Sequence, residues 1–200
     1  MPNLSNIFIP CSYHETRNGI EYVTLPSELF KARKLYLVDE VTPVSMGVLL
    51  QSLMCLEDIS DEPVELYINS RGGEVSSGMA VYRYITEQMQ SPVHTYCIGL
   101  AASMAAILYL AGERRYIYDG CQIMIHAPAS ISGNVEKPEE LKDRLEILES
   151  TKSMACRIIA DRTGRSIDEI AEITQKDKYF NADEALEYGL ATYIIRRKEK

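Results

Sequence analysis

Three residues of this 200-residue chain have the chemical types needed for acyl transfer, namely Ser103, His126 and Asp177. A serine hydroxyl becomes a strong nucleophile when an imidazole accepts its proton, and a carboxylate can orient that imidazole and stabilise its charged form. Each residue also has a simpler interpretation: Ser103 as the cap of a buried helix, His126 as a structural residue, Asp177 as a solvated loop carboxylate. The order Ser, His, Asp along the chain does not exclude a catalytic triad, because such triads are defined by their geometry.

Ser103 lies in the uncharged stretch from Thr95 to Gly112. The stretch predicts a strand ending near Ile98, a bend at Gly99 and a helix from about Ser103 to Leu110. A helix start offers unpaired N–H groups and a positive dipole end, which suits a nucleophile. Eighteen residues without a charge also reach the length of a transmembrane candidate, but the glycine, serine and tyrosines inside the stretch argue against a membrane span.

Predicted strands lead into two other candidate positions. Residues 64–68 alternate in hydrophobicity and run into Gly72 and Gly73 before a helix begins. The glycine pair fits a tight turn, or a loop whose N–H groups approach a ligand closely, as an oxyanion hole requires. Residues 122–126 predict a strand with His126 at its exit, where α/β folds gather binding and catalytic groups.

The composition predicts one globular domain, with 46% hydrophobic and 25% charged residues. A formal net charge of −8 argues against a nucleic-acid partner. The N-terminus has no signal-peptide pattern, and the five cysteines form no CxxC pair, so we expect reduced thiols in a cytoplasmic protein. The spacing of Cys, His and acidic residues predicts no metal site, and nothing predicts a cofactor.

Further helices follow the candidate histidine. A long helix is predicted from Pro138 to Gly164, and its apolar stripe favours burial against a partner subunit. Ser166 with Glu169, and Asn181 with Glu184, have the spacing of capping boxes and predict the starts of two short helices.

Several longer motifs occur in the chain in a fixed order, namely Leu66 to Gly73, Gly99 to Met104, Met124 to Pro128, Asp177 to Ala185 and Glu187 to Leu190. With these motifs the chain resembles the ClpP family, the proteolytic subunits of the ATP-dependent Clp protease. The resemblance extends over nearly the whole chain from about residue 34 onward. It implies a ClpP/crotonase-type α/β fold, a single domain with a protruding handle helix, and a serine endopeptidase.

The resemblance also implies a role for each site residue. Ser103 would be the nucleophile, His126 the general base and acid, and Asp177 the orienting carboxylate. The N–H groups of Gly73 and Met104 would form the oxyanion hole. Both positions agree with the local pattern, because glycine permits close approach and Met104 follows the nucleophile at a helix start.

A peptide substrate would lie as an added strand between the backbone after Gly73 and the backbone after His126. The substrate-binding residues implied by the resemblance are Glu74, Val75 and Pro128. The substrates would be unfolded polypeptides.

Members of this family assemble as two stacked seven-subunit rings and receive substrate from an AAA+ unfoldase. The resemblance therefore implies a homo-oligomer, or a hetero-oligomer with another ClpP subunit, without a nucleic-acid or membrane partner. It divides the chain into an N-terminal arm or axial loop with a short helix at 1–33, a peptidase domain at 34–195 with its handle at about 127–162, and a basic tail at 196–200.

Three departures from the family pattern fall on the predicted substrate cleft and handle. Arg71 replaces a proline, Leu100 replaces a glutamine, and Ala127 to Ser130 replace a Gln-Pro pair followed by glycines. They predict a divergent paralogue. Two alternatives stay open at this point: a low-activity structural or regulatory subunit of a mixed ring, and a crotonase-like acyl-CoA enzyme, which shares the fold without using a serine nucleophile.

Overall fold

The computed structural model describes residues 11–17, 19–128 and 137–197. Most of these residues lie in α-helices or β-strands, with one π-helical turn at Tyr84–Gln88. The elements in chain order are β1 (Cys11–Thr16), β2 (Gly19–Thr24), α1 (Leu25–Lys31), β3 (Lys34–Leu37), α2 (Pro43–Ile59), β4 (Val64–Ser70), α3 (Val75–Arg83), β5 (Val93–Ala102), α4 (Met104–Leu110), β6 (Arg114–Tyr118), β7 (Gln122–Ile125), α5 (Pro138–Thr163), α6 (Ile167–Ile173), β8 (Lys178–Phe180), α7 (Ala182–Tyr188) and β9 (Tyr193–Ile195).

A mostly parallel sheet organises the domain. Within the described residues it has seven strands, with β3, β4, β5, β6 and β9 side by side, β7 paired with β5, and β8 paired with β7. Its strand pairs are parallel except for β7 with β8. Helices connect the parallel strands, as such crossovers require, and the fold is the single-domain α/β arrangement predicted from the sequence.

The two faces of the sheet differ in what covers them. One face packs under helices and carries fully buried side chains such as Leu66, Cys97 and Ile117. The opposite face carries five tyrosines in register, whose neighbouring ring centroids are 4.7–5.1 Å apart. This tyrosine ladder consists of Tyr36, Tyr67, Tyr96, Tyr116 and Tyr193.

Thr42 followed by Pro43 has the sequence pattern of an N-cap and a first helical residue, and helix α2 begins there. The sequence predicts an apolar face on this helix at Val44, Val48, Leu49, Leu53 and Leu56. That prediction is partly wrong, because Val44 and Val48 are 78% and 61% exposed. The buried stripe instead follows the helical spacing of Met46, Leu49, Leu53 and Leu56. Val44 and Val48 belong to a neighbouring row of the helix surface that this chain leaves uncovered.

Helix α5 has the predicted bounds, and it ends at Gly164 in the left-handed conformation that favours glycine. Its first half exposes Leu141, Leu145 and Ile147, consistent with the expectation of a partner subunit. Residues 129–136, to which the tip of the predicted handle belongs, lie outside the described residues, as do residues 1–10 of the arm and 198–200 of the tail. The division into arm, domain, handle and tail stays a prediction.

Four strands, namely β1, β2, β8 and β9, were not expected from the sequence. The described part of the arm forms the antiparallel β1–β2 hairpin, and the segment interpreted as a loop around Asp177 continues into β8, which pairs with β7. Strand β9 is added beside β6. Capping boxes were expected for both of the last two helices. At Asn181 and Glu184 both hydrogen bonds of the box are present. At Ser166 the side chain accepts the Glu169 N–H, but the bond from the Ser166 N–H to the Glu169 side chain is absent.

Candidate active site

Ser103 stands between β5 and α4, and it is the N-cap of that helix. Its side chain makes no capping hydrogen bond, so the interpretation of Ser103 as a simple helix cap is wrong. Its backbone has φ 55° and ψ −125°, a conformation that costs a non-glycine residue free energy. The strained turn directs Oγ to His126, whose Nε2 lies 2.8 Å away.

His126 follows the last residue of β7 and reaches Ser103 because β7 pairs with the end of β5. Ala102 pairs with Met124, and the Ser103 N–H donates to the Met124 carbonyl at 2.9 Å. The backbone pairing of the two strands therefore fixes the separation between Ser103 and His126. It also occupies the N–H group of Ser103, which leaves that of the next residue as the first unpaired donor of α4.

Asp177 lies immediately before β8, on the other side of His126. Ile125 pairs with Lys178, and the Ala127 N–H donates to the Thr174 carbonyl at 2.7 Å. These contacts bring Asp177 Oδ1 to 3.3 Å from His126 Nδ1. The Asp177 side chain is 59% exposed, so water screens its charge in the single chain.

The loop after β4 that contains Gly72 and Gly73, called the glycine loop below, packs on the peptide that follows Ser103. A Cβ on Gly72 would lie 2.8 Å from Ser103 Cβ and 2.8 Å from Met104 N. Gly72 also has φ 91°, so a side chain at this position is excluded both by space and by backbone conformation. The loop therefore runs directly beside the first turn of α4.

Gly73 pairs with Val41 in a parallel β-bridge, whose hydrogen bonds are made by the backbone groups of the two neighbours of Gly73. The Val41 N–H donates to the Gly72 carbonyl and the Glu74 N–H donates to the Val41 carbonyl, each at 2.8 Å. In such a bridge the N–H of the central residue points to the opposite edge. The N–H of Gly73 thus faces away from Val41, on the edge where the loop borders α4.

An apolar cavity opens beside Ser103 and His126. It has a volume of about 40 Å³, well above the space that one water requires. Val75 and Pro128, two of the predicted substrate-binding residues, line it, and the remaining lining is mainly apolar, with Met79, Ile107, Ile125, Met154 and Ile159.

Glu74, the third predicted substrate-binding residue, has another set of contacts. Its carboxylate accepts hydrogen bonds from Ser77 and Ser76, which lower the pKa of Glu74. The sequence did not predict that Thr151 and Met154 of α5 line the cavity. No local pattern marks them, because they reach the site only through the packing of α5 on the domain.

The other described histidines lie away from Ser103. His14 in the hairpin bonds to Glu28 at 2.7 Å, and His94 stacks on Tyr116. Burial raises the pKa of the Cys97 thiol to about 12, which keeps it protonated and unreactive at neutral pH.

Within residues 11–17, 19–128 and 137–197, no group of three or more His, Cys, Asp or Glu side chains is arranged to hold a metal ion. None of the helices in the same ranges combines the length and apolar character needed to cross a membrane.

The chain is similar to known proteins over nearly its whole length. The sequence model of the Clp protease family matches residues 17–198. The ATP-dependent Clp protease proteolytic subunit of Carsonella ruddii (strain PV) is 33% identical over 194 residues, covering 96% of this chain and 98% of its own. The structure of a ClpP1 mutant from Listeria monocytogenes aligns with a TM-score of 0.78 and 27% identity, covering 87% of this chain and 97% of its own. Because the family match spans nearly the whole chain and the fold aligns over most of it, the chain belongs to the Clp protease family.

Proposed function

We propose that this chain is a serine endopeptidase subunit that hydrolyses peptide bonds of unfolded polypeptides inside a ring chamber. The observation that carries the proposal is the 2.8 Å contact between Ser103 Oγ and His126 Nε2 at a strained helix start. A serine that only caps a helix requires neither a strained backbone nor a contact with an imidazole. Membership of the Clp protease family supports the same reaction class.

In this proposal His126 carries its proton on Nδ1, facing Asp177, and accepts the Ser103 proton at Nε2. Ser103 Oγ attacks the substrate carbonyl carbon, and the imidazolium then donates its Nε2 proton to the leaving amine, which leaves an acyl-enzyme. A water deprotonated by His126 releases the acyl group in the second half of the cycle. Asp177 holds the imidazole orientation and stabilises its positive charge, supported by the 3.3 Å separation.

The developing negative charge on the substrate oxygen is stabilised by the N–H groups of Gly73 and Met104. Support comes from the direction of the Gly73 N–H and from the close packing of the glycine loop on the Ser103–Met104 peptide. Each such donor typically lowers the barrier by about 3 kcal/mol. The N–H of Ser103 takes no part, because it already donates to the Met124 carbonyl.

Substrate binds as an extended strand between the segment that begins at Gly73 and the segment that follows His126. The Ala127 N–H points to the Thr174 carbonyl, so the flanking carbonyls of this extended segment point the other way, towards the cleft. The apolar cavity beside Ser103 accepts the side chain that precedes the cleaved bond, and its lining favours aliphatic residues over charged ones.

Assembly and an unfoldase complete the proposed function. The apolar residues exposed on α5 support contacts between subunits in stacked heptameric rings, either of this chain alone or mixed with a second ClpP subunit. The tyrosine ladder offers an AAA+ unfoldase an aromatic docking surface, since exposed aromatic patches are typical of protein interfaces. The cytoplasm is the compartment that fits this system.

A serine-directed fluorophosphonate tests the proposed chemistry. We expect a single adduct at Ser103 in the intact protein, located by peptide mapping, and no adduct in Ser103→Ala. A matched control is Ser52→Ala, which removes a hydroxyl that bonds only within α2 and should label normally. Hydrolysis of a fluorogenic peptide should follow the same pattern across the three proteins.

The alternative of a low-activity structural subunit makes a different prediction for the same experiment. Such a subunit would give no adduct, alone or after mixing with a second ClpP subunit, and would still join the ring in native mass spectrometry. Adduct formation only in the mixed particle would instead indicate an active subunit that needs its partner. Acyl-CoA turnover that survives Ser103→Ala would point to the crotonase-like alternative.

A further inference from the structure

The end of β4 contacts the two segments of the chain that lead to the candidate oxyanion donors, Gly73 and Met104. Two adjacent side chains, those of Asn69 and Ser70, make these contacts. One of them bonds to the strand that leads to Ser103, and the other bonds to the loop that leads to Gly73.

Asn69 stands opposite a bulge in β5. The register pairs Ile68 with Cys97 but Ser70 with Ala101, so three residues of β5 oppose Asn69 alone. Strand β5 pairs with β6 before this bulge and with β7 after it. The end of β5 beyond the bulge thus lies beside β7, the strand that His126 follows.

The solvent-exposed Asn69 side chain bonds to the backbone of this bulge. Its Oδ1 accepts the Leu100 N–H at 3.1 Å, a donor that the interrupted ladder would otherwise leave unpaired. A Cβ on Gly99 would lie 2.4 Å from the same oxygen, so the amide packs directly on the backbone of the bulge. Asn69 thereby fixes the path of β5 just before Ser103 and the Met104 N–H.

Ser70 holds the glycine loop in the same manner. Its side chain is buried, with 5% exposure, and its hydroxyl donates to the Asp39 carbonyl at 2.6 Å while accepting the Gly72 N–H at 3.1 Å. Both hydrogen-bonding directions of the hydroxyl are therefore used. Ser70 fixes the loop one residue before the Gly73 N–H.

We propose that Asn69 and Ser70 are positioning residues that set the separation between the N–H groups of Gly73 and Met104. This inference rests on the peptidase function proposed above. The two donors belong to different segments of the chain, and both must come within hydrogen-bond distance of one oxygen. A shift of about 1 Å at a catalytic group can cost about 100-fold in rate. Side chains that bond the end of β5 and the glycine loop to β4 therefore influence the rate of the reaction.

The effect should appear in kcat, because the oxyanion forms only in the transition state. Asn69→Leu keeps the shape but removes the acceptor for the Leu100 N–H, and we expect kcat to fall about 10- to 100-fold with KM within about twofold. Asn69→Asp retains an acceptor oxygen and should stay within about threefold of the wild type. For Ser70→Ala we expect the same fall in kcat and the same nearly unchanged KM as for Asn69→Leu.

Controls separate positioning from folding. Rates are measured per site titrated by the fluorophosphonate, on assembled particles checked by native mass spectrometry and thermal melting, with Ser52→Ala as the matched hydroxyl deletion. If Asn69→Leu does not assemble, the kcat of Ser70→Ala is compared with that of the wild type instead. Unchanged kcat in the assembled variants, or equal losses for Asn69→Asp and Asn69→Leu, would overturn the inference while leaving the peptidase function intact.

Crystal structures of the wild type and of Ser70→Ala give a test that does not depend on activity. The distance between the N atoms of Gly73 and Met104 should change in the variant. An unchanged distance would overturn the inference even if the wild type were inactive, whereas an inactive and unlabelled wild type with a changed distance would contradict only the peptidase proposal.

Discussion

Replacing Asp177 with asparagine measures how much an exposed carboxylate contributes to the proposed triad. The two atoms that interact are Asp177 Oδ1 and His126 Nδ1, 3.3 Å apart. Asparagine keeps the shape of the side chain and removes its charge. Because position 177 is more than half exposed, the amide can rotate and present its carbonyl to the Nδ1 proton, so the imidazole tautomer is retained.

The size of the effect follows from the separation and the exposure. A unit-charge pair at this distance gains about 1.3 kcal/mol at the dielectric constant of water and about 5 kcal/mol at an effective value of 20. Exposure of 59% for Asp177 and 27% for His126 places the pair nearer the first limit. We therefore expect a loss of about 2 to 3 kcal/mol of transition-state stabilisation, which is about 30- to 150-fold in kcat/KM.

The assay is hydrolysis of a fluorogenic peptide at several salt concentrations, with Asp183→Asn as the control, since Asp183 is also exposed and forms its ion pair with Arg196. The ratio of wild-type to Asp177→Asn activity should shrink as salt increases, because exposed charges are screened. A loss below about threefold would refute the role of Asp177. A loss near 10⁴-fold, as for a buried triad carboxylate, would refute the estimate based on exposure.

Three further predictions concern other parts of the chain. Met154→Trp should fill the apolar cavity and lower kcat/KM for leucine before the cleaved bond by at least about tenfold, while fluorophosphonate labelling persists; unchanged leucine cleavage would contradict this. Iodoacetamide at neutral pH should alkylate exposed Cys55 in the native protein and spare Cys97, whose pKa is raised by burial to about 12; peptide mapping that finds equal modification would count against it. Tyr96→Asp should reduce unfoldase-driven protein degradation and leave short-peptide hydrolysis unchanged, and equal loss of both activities would argue against docking at the tyrosine ladder.

The elements that the sequence predicted well are those specified by local chemistry. Helix α5 was bounded correctly by a proline in its first turn and by Gly164 at its end. The helix after Ser103 was also expected, because a run of Ala and Leu favours helix. In each case the signal lies within a few residues of the boundary. The predicted end of the preceding strand near Ile98 was wrong, since β5 continues through Gly99 to Ala102.

The elements that were missed depend on partners far along the chain. Strands β8 and β9 have three residues each, too few to show an alternating pattern, and they form because β7 and β6 offer them ladders. The exposure of Val48 on α2 has a similar origin, since which row of a helix is buried depends on the elements packed against it.

The candidate site was only partly predictable for the same reason. Residue types, and the resemblance to the ClpP family, were enough to name Ser103, His126 and Asp177. They did not distinguish a helix cap from a nucleophile, because that distinction depends on the positive φ of Ser103 and on the direction of its Oγ. The roles proposed for Asn69 and Ser70 were equally hidden, since the first depends on a bulge in β5 and the second on hydrogen bonds to Asp39 and Gly72.

The pairing of three strands explains why the order of the site residues along the chain is unimportant. Ser103 follows β5, His126 follows β7 and Asp177 precedes β8, and these strands are successive neighbours in the sheet. Their ladders bring the three side chains together at one edge whatever lies between them in sequence. The strained backbone of Ser103 costs about 1 to 3 kcal/mol, and α4, whose seven residues are all buried, supplies enough packing to hold it. In our proposal the nucleophile is thus positioned by the core, whereas the two oxyanion donors depend on the side chains at the end of β4.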